Sequence, residues 1–135
     1  MRILITGGPK TGKTTLARQK ARALGLLHLC TDPQKHCPLG VKGIPDDLAW
    51  SDQSKYIADN WLGLDNVIIE GVALPRALRK WKDAHPGKAP PCNTLIVLDQ
   101  PHLPLVKGQA AMAKSVQTVL NEIYEWLYPV YEVKK

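Results

Sequence analysis

Ile3-Leu4-Ile5-Thr6-Gly7-Gly8-Pro9-Lys10-Thr11-Gly12-Lys13-Thr14-Thr15 is the stretch that decides how this chain folds. It opens on a short, continuous apolar run, the pattern of a strand buried on both faces. Glycine and proline break the run, and Lys13 to Leu24 then has helix-forming composition that stops at Gly25. Strand, glycine-rich turn and helix follow one another without a linker.

The same alternation continues outward. Leu26 to Cys30 reads as a second strand, followed by Thr31-Asp32-Pro33 and a Pro- and Gly-rich loop that reaches Pro45. Ser51 is placed to cap a helix running to about Leu62, with Gly63 as its stop. Asn66 to Gly71 is a third strand, apolar up to the acid Glu70, and Pro75 suits the first turn of a helix reaching about Ala84. Thr94 to Leu98 is a fourth strand that ends at Asp99, which reads as a turn acid. Gln109 to Leu127 is the longest predicted helix, with Met112, Val116, Val119, Leu120, Ile123, Trp126 and Leu127 as its apolar stripe, so Trp126 is assigned to the core. Val130 to Val133 alternates as a fifth strand would. Apolar strands separated by helices predict an α/β three-layer sandwich, a mostly parallel sheet of about four to five strands flanked by helices, in one domain over 1–135.

Composition narrows the class. With 135 residues and 44% hydrophobic content there is material for a single core. No apolar run approaches a membrane span and no cleavable signal precedes the first strand, so the expectation is a soluble, cytoplasmic protein without a membrane partner. Cys30, Cys37 and Cys92 are odd in number and unevenly spaced, which predicts reduced thiols. His28, His36, Cys30 and Cys37 lie near one another, but Cys30-x₆-Cys37 lacks the paired spacing of a zinc site. The formal net charge of +6 favours anionic partners, among them nucleotides, phosphorylated metabolites and nucleic acid. Arg18, Lys20 and Arg22 read as the solvated face of a helix.

The opening stretch also carries chemistry. Gly7 to Thr14 matches G-x-x-x-x-G-K-[ST], a P-loop, in the strand-to-helix context that the motif requires. Glycines allow a tight turn whose backbone N–H groups point inward at phosphate oxygens, and the helix N-terminus adds partial positive charge. Gly7, Gly8, Pro9, Lys10, Thr11, Gly12, Lys13, Thr14 and Thr15 are therefore the candidate triphosphate ligands. Lys13 is expected on the β and γ phosphates, Thr14 on Mg²⁺, and Thr15 on the α phosphate or as a local cap.

On these residues the chain resembles the P-loop NTPase superfamily, and within it the small kinases similar to adenylate, shikimate and gluconate kinases. Ile68-Ile69-Glu70-Gly71-Val72-Ala73-Leu74-Pro75-Arg76 resembles the adenylate-kinase segment in which a strand-end acid is followed by Gly, an apolar residue, Pro and Arg, with Glu as the acid and two extra residues before the proline. Leu95 to His102 resembles the strand that leads into a mobile lid, which makes Lys107 or Lys114 the lid cation in place of the usual Arg. Asp32 stands where several small kinases hold a carboxylate facing the acceptor hydroxyl or the metal. The resemblance implies ATP and Mg²⁺ as cofactors, and adenine preference rests on it alone, since no guanine-reading N-K-x-D segment occurs.

The expected catalytic set is Lys13, Asp32 and Glu70: Asp32 orients or deprotonates the acceptor hydroxyl, and Glu70 holds the Mg²⁺ water shell, with these two roles exchangeable. Thr14 and Glu70 are thus the metal candidates, Glu70 through water. Arg76 and Arg79 lie three residues apart on one helix, where guanidinium forks suit an acceptor phosphate. Three functions remain open: an Mg-dependent phosphotransferase for a small metabolite or nucleotide, a 5′-hydroxyl polynucleotide kinase, and a slow ATPase acting as a switch or binding module. Trp81 between Lys80 and Lys82 is the one aromatic placed to stack on a nucleic acid strand.

Overall fold

Six strands form one sheet in the computed structural model, which describes residues 1–134. They are β1 (Arg2–Gly7), β2 (Leu27–Pro33), β3 (Lys42–Ile44), β4 (Val67–Glu70), β5 (Thr94–Leu98) and β6 (Tyr131–Lys134), in the order β3-β2-β4-β1-β5-β6. Every neighbouring pair runs parallel. Parallel neighbours need crossovers; α1 (Lys13–Leu24), α2 (Trp50–Asn60), α3 (Leu74–Ala84), α4 (Lys107–Glu122) and α5 (Tyr124–Leu127) supply them, except between β2 and β3, which a loop with one 3-10 turn (Gln34–His36) joins.

Side-chain alternation divides the core into two layers. Leu4, Leu29, Val67, Ile69, Leu95 and Val97 pack against Ile57 of α2, Leu74 and Leu78 of α3, and Val116 and Leu120 of α4. Ile3, Ile5, Ile68, Ile96 and Leu98 face the other way, onto Ala17 and Ala21 of α1. Both faces are covered, which is why each central strand reads as an unbroken apolar run. No helix among the described residues is long and apolar enough to cross a membrane.

Three expectations need correction. The sheet has six strands because β3 lies inside the predicted loop, where three residues are too few to show a period. A side-chain amide holds it: Gly43 N–H donates to Gln34 Oε1 (2.8 Å), and Gln34 Nε2 donates to the Val41 carbonyl (3.1 Å). Ser51 is not the cap of α2, which starts at Trp50 after Ala49; the Ser51 carbonyl instead accepts from Ser54 Oγ (3.2 Å) and Lys80 Nζ (2.7 Å). The long C-terminal helix starts earlier, at Lys107, and breaks at Ile123 (φ −113°, ψ 15°) into α4 and α5.

Gly71 is required where β4 leaves the sheet. Its φ is +150°, and a Cβ there would lie 1.7 Å from Thr31 Oγ1 on β2. Gly71→Ala is expected to cost about 3 kcal/mol through strain and overpacking, lowering Tm by roughly 10 °C. Adding Thr31→Ala should recover part of that loss in a thermal melt; equal melting of wild type and Gly71→Ala would contradict the packing described.

Candidate functional site

The turn between β1 and α1 is built to receive an anion. Gly12 adopts φ +86° and starts α1 without a side-chain cap. The backbone N–H groups of Lys10, Gly12 and Lys13 donate to no acceptor among the described residues, so free donors are left at a helix N-terminus. Lys13 Nζ folds back onto the Gly8 carbonyl (2.7 Å), which also accepts from Thr11 Oγ1 (3.0 Å). The loop carbonyl thus takes the ammonium that a phosphate oxygen would neutralise. Thr14 and Thr15 occupy the first turn of α1 beside it.

Register brings the acids to the same place. Glu70 closes β4, paired with Ile5 on β1 and with Cys30 on β2. It points to the α1 face and is only 1% exposed, and its Oε2 has no hydrogen-bond partner among the described residues. Asp32, two residues beyond Cys30, is exposed at the end of β2. Lys13 feels both: burial holds its ammonium below the usual lysine range, while attraction first to Glu70 and then to Asp32 opposes that shift. Lys13, Glu70 and Asp32 therefore all lie at the carboxyl edge of the sheet, without a direct ion pair to Lys13 among the described residues; this is the edge where open α/β sheets bind ligands.

Among the described residues no group of three or more His, Cys, Asp or Glu side chains is arranged to hold a metal ion. The donors that are present, the Thr14 hydroxyl and the Glu70 carboxylate, are hard oxygens. They suit Mg²⁺, which keeps several waters and takes substrate phosphates as ligands.

Cys30, Cys37 and Cys92 are not bonded to one another. Burial, reinforced by the charge of Glu70, pushes the Cys30 thiol far up, and burial pushes Cys92 up to about 12. Cys37 is also raised but partly exposed. Iodoacetamide at pH 8 should therefore label Cys37 ahead of Cys30 and Cys92, and all three more slowly than free cysteine, as read by peptide mass spectrometry.

The predicted cations separate. Arg76 lies with its guanidinium 4.8 Å from the centre of the Trp50 ring and donates to Ser115 Oγ (2.8 Å). These three residues line a cavity of about 270 Å³ whose remaining wall is mainly Val72, Pro75, Met112, Val116 and Val119, with no carboxylate. Arg79 does not line this cavity and is paired with Glu122 of α4 at 2.8 Å. Lys107 is exposed at the first position of α4, next to Gly108 of the cavity wall. Lys10 sends its ammonium to the Pro104 carbonyl (3.1 Å), out of the loop's concave side.

Two features were not visible in the sequence. The segment after β5 crosses the P-loop: His102 N–H donates to the Lys10 carbonyl (2.6 Å), and its imidazole lies where a Cβ on Gly12 would stand 2.8 Å away. Trp50 joins Arg76 only because α2 begins above α3. The Pro-rich stretch Gln100-Pro101-His102 is the one local signal for the first; nothing local marks the second.

The AAA domain family model matches residues 3–107 of the chain. No curated protein matches it. Among solved structures, shikimate kinase from Acinetobacter baumannii in complex with shikimate superposes with a TM-score of 0.57 at 14% identity, over 99% of this chain and 83% of that one. Deoxyadenosine kinase from M. mycoides with bound dATP gives a TM-score of 0.42 at 15% identity, over 100% of this chain and 91% of that one. The first likeness is one of fold. With the P-loop in its strand-to-helix setting and the family model covering most of its length, the chain belongs to the AAA domain family and is a P-loop NTPase with a small-kinase fold.

Proposed function

We propose that this chain is an ATP- and Mg²⁺-dependent phosphotransferase whose acceptor is a small anionic molecule. The observation that carries the reading is the placement of the Glu70 and Asp32 carboxylates at the same sheet edge as Lys13 and the P-loop, within electrostatic reach of its ammonium. Phosphoryl transfer asks for positioning and charge neutralisation more than for covalent chemistry.

The loop N–H groups and Lys13 bind the β and γ phosphates and hold the γ phosphorus in line with the acceptor. Thr14 and Glu70 would hold Mg²⁺, which would supply neutralisation of the triphosphate charge. The exposed carboxylate of Asp32 is accessible to an acceptor hydroxyl, whereas Glu70 is buried behind Lys13, and this favours Asp32 as the proton acceptor. The acceptor oxygen forms its bond to the γ phosphorus, the bond to the bridging oxygen breaks, the hydroxyl proton passes to Asp32, and ADP leaves.

Arg76 supports an anionic acceptor. It is the one charged side chain in an otherwise apolar and uncharged wall, and Ala113 on the same turn of α4 sits against the P-loop Gly8. A nucleic acid strand is less well served. Trp81 is stacked against His85 (centroids 4.1 Å) and Trp126 (6.1 Å) and packs on the core, so it is not free to stack on bases.

Incubation with γ-labelled ATP and separate pools of nucleosides, nucleotides, oligonucleotides and metabolites tests the reading. Label is expected in a small anionic acceptor. Free phosphate as the sole product in every pool would replace transfer with ATP hydrolysis, and label in oligonucleotides would select the polynucleotide alternative.

A further inference from the structure

We propose that His28 is a positioning residue for Glu70, holding one carboxylate oxygen so that the other is presented to the cation of the bound nucleotide; this rests on the Mg²⁺ reading of Glu70 given above. The two residues are on adjacent strands. Cys30 is the register partner of Glu70, and His28, two positions earlier on the same face of β2, is its diagonal neighbour. His28 is 7% exposed and Glu70 1%. His28 Nε2 lies 4.0 Å from Glu70 Oε2, and neither atom has a hydrogen-bond partner among the described residues.

A buried polar atom without a partner costs about 1–3 kcal/mol, and here two atoms of complementary kind face each other. Leucine would fill the same space without that cost, so packing alone does not account for an imidazole. The gap is about 1 Å longer than a hydrogen bond, and we infer that movement of the Glu70 side chain, as a cation draws on its other oxygen, closes it. The Nε2–H then donates to Oε2. The surroundings keep the imidazole neutral: burial disfavours its charged form, and Arg18 on α1 opposes the attraction of Glu70. Cys30 stands beside the carboxylate as its register partner. In metal sites such outer partners orient the ligand and are worth about 10–100-fold in metal affinity or activity.

Calorimetric titration of ADP with and without Mg²⁺ tests this in wild type, His28→Leu and His28→Gln. Wild type should gain affinity when Mg²⁺ is added. His28→Leu should lose about 10-fold of that gain, keep its Mg²⁺-free ADP affinity, and melt no lower than wild type. His28→Gln, whose amide nitrogen reaches the position of Nε2, should recover most of the gain. In a Glu70→Gln background, His28→Leu should have no further effect.

An undiminished Mg²⁺ gain in His28→Leu would overturn the assignment, as would a folded His28→Gln that loses the gain. The second variant decides the matter if His28→Leu fails to fold. A wild type that gains nothing from Mg²⁺ would overturn the Glu70 reading itself, and the role of His28 with it.

Discussion

Lys13→Ala is expected to weaken ATP binding by at least about 100-fold, because the ammonium supplies charge-assisted hydrogen bonds worth about 1.5–3 kcal/mol each to two phosphates. The loss has a second source. Without Lys13 the triphosphate would approach Glu70 and Asp32 with no cation between them. Stability should move little or rise, since the ammonium is desolvated and its only direct partner among the described residues is the Gly8 carbonyl. Calorimetry for binding and a thermal melt for stability separate the two effects. A Lys13→Ala protein that keeps wild-type ATP affinity would sink the central claim.

Arg76→Ala should raise the acceptor KM about 10- to 100-fold, the worth of one charge-assisted contact, while ATP affinity stays near that of wild type. Arg76→Lys should restore only part, because an ammonium cannot reproduce both the stacking on Trp50 and the planar fork that reaches Ser115. Arg79→Ala is the control. It breaks an ion pair with Glu122 that is substantially exposed, so it should cost no more than about 1 kcal/mol in stability and leave the acceptor response unchanged. Initial-rate kinetics against the acceptor identified by labelling checks all three. Arg76→Ala with an unchanged acceptor KM, or Arg79→Ala with the larger effect, would remove Arg76 from the site.

The expected site is legible in the sequence to different depths. Gly7 to Thr14 is readable because its chemistry is local: glycines, a lysine and a threonine at fixed spacing between a strand and a helix. Glu70 is half readable, since an acid that ends an apolar strand marks the sheet edge but does not name its neighbours. Arg76 and Arg79 are indistinguishable in sequence, three residues apart on one helix. Packing separates them, because α2 brings Trp50 to Arg76 while α4 brings Glu122 to Arg79. Trp81 illustrates the reverse error. Flanking lysines make it look like a stacking platform, yet Trp126, distant in sequence, takes it into a stack against the core.

The sequence by itself determined the alternation of strands and helices, the covering of both sheet faces and the place of the phosphate loop. Each depends on periods and motifs a few residues long. Only the tertiary structure decided the strand order β3-β2-β4-β1-β5-β6, and with it the meeting of β2 and β4 that sets His28, Cys30 and Glu70 side by side. Register between strands some forty residues apart is fixed by burial of whole faces, a sum over the core that no local window contains. The crossing of His102 over Gly12 and the short β3 held by Gln34 arise in the same way, from contacts that exist only once the sheet has formed.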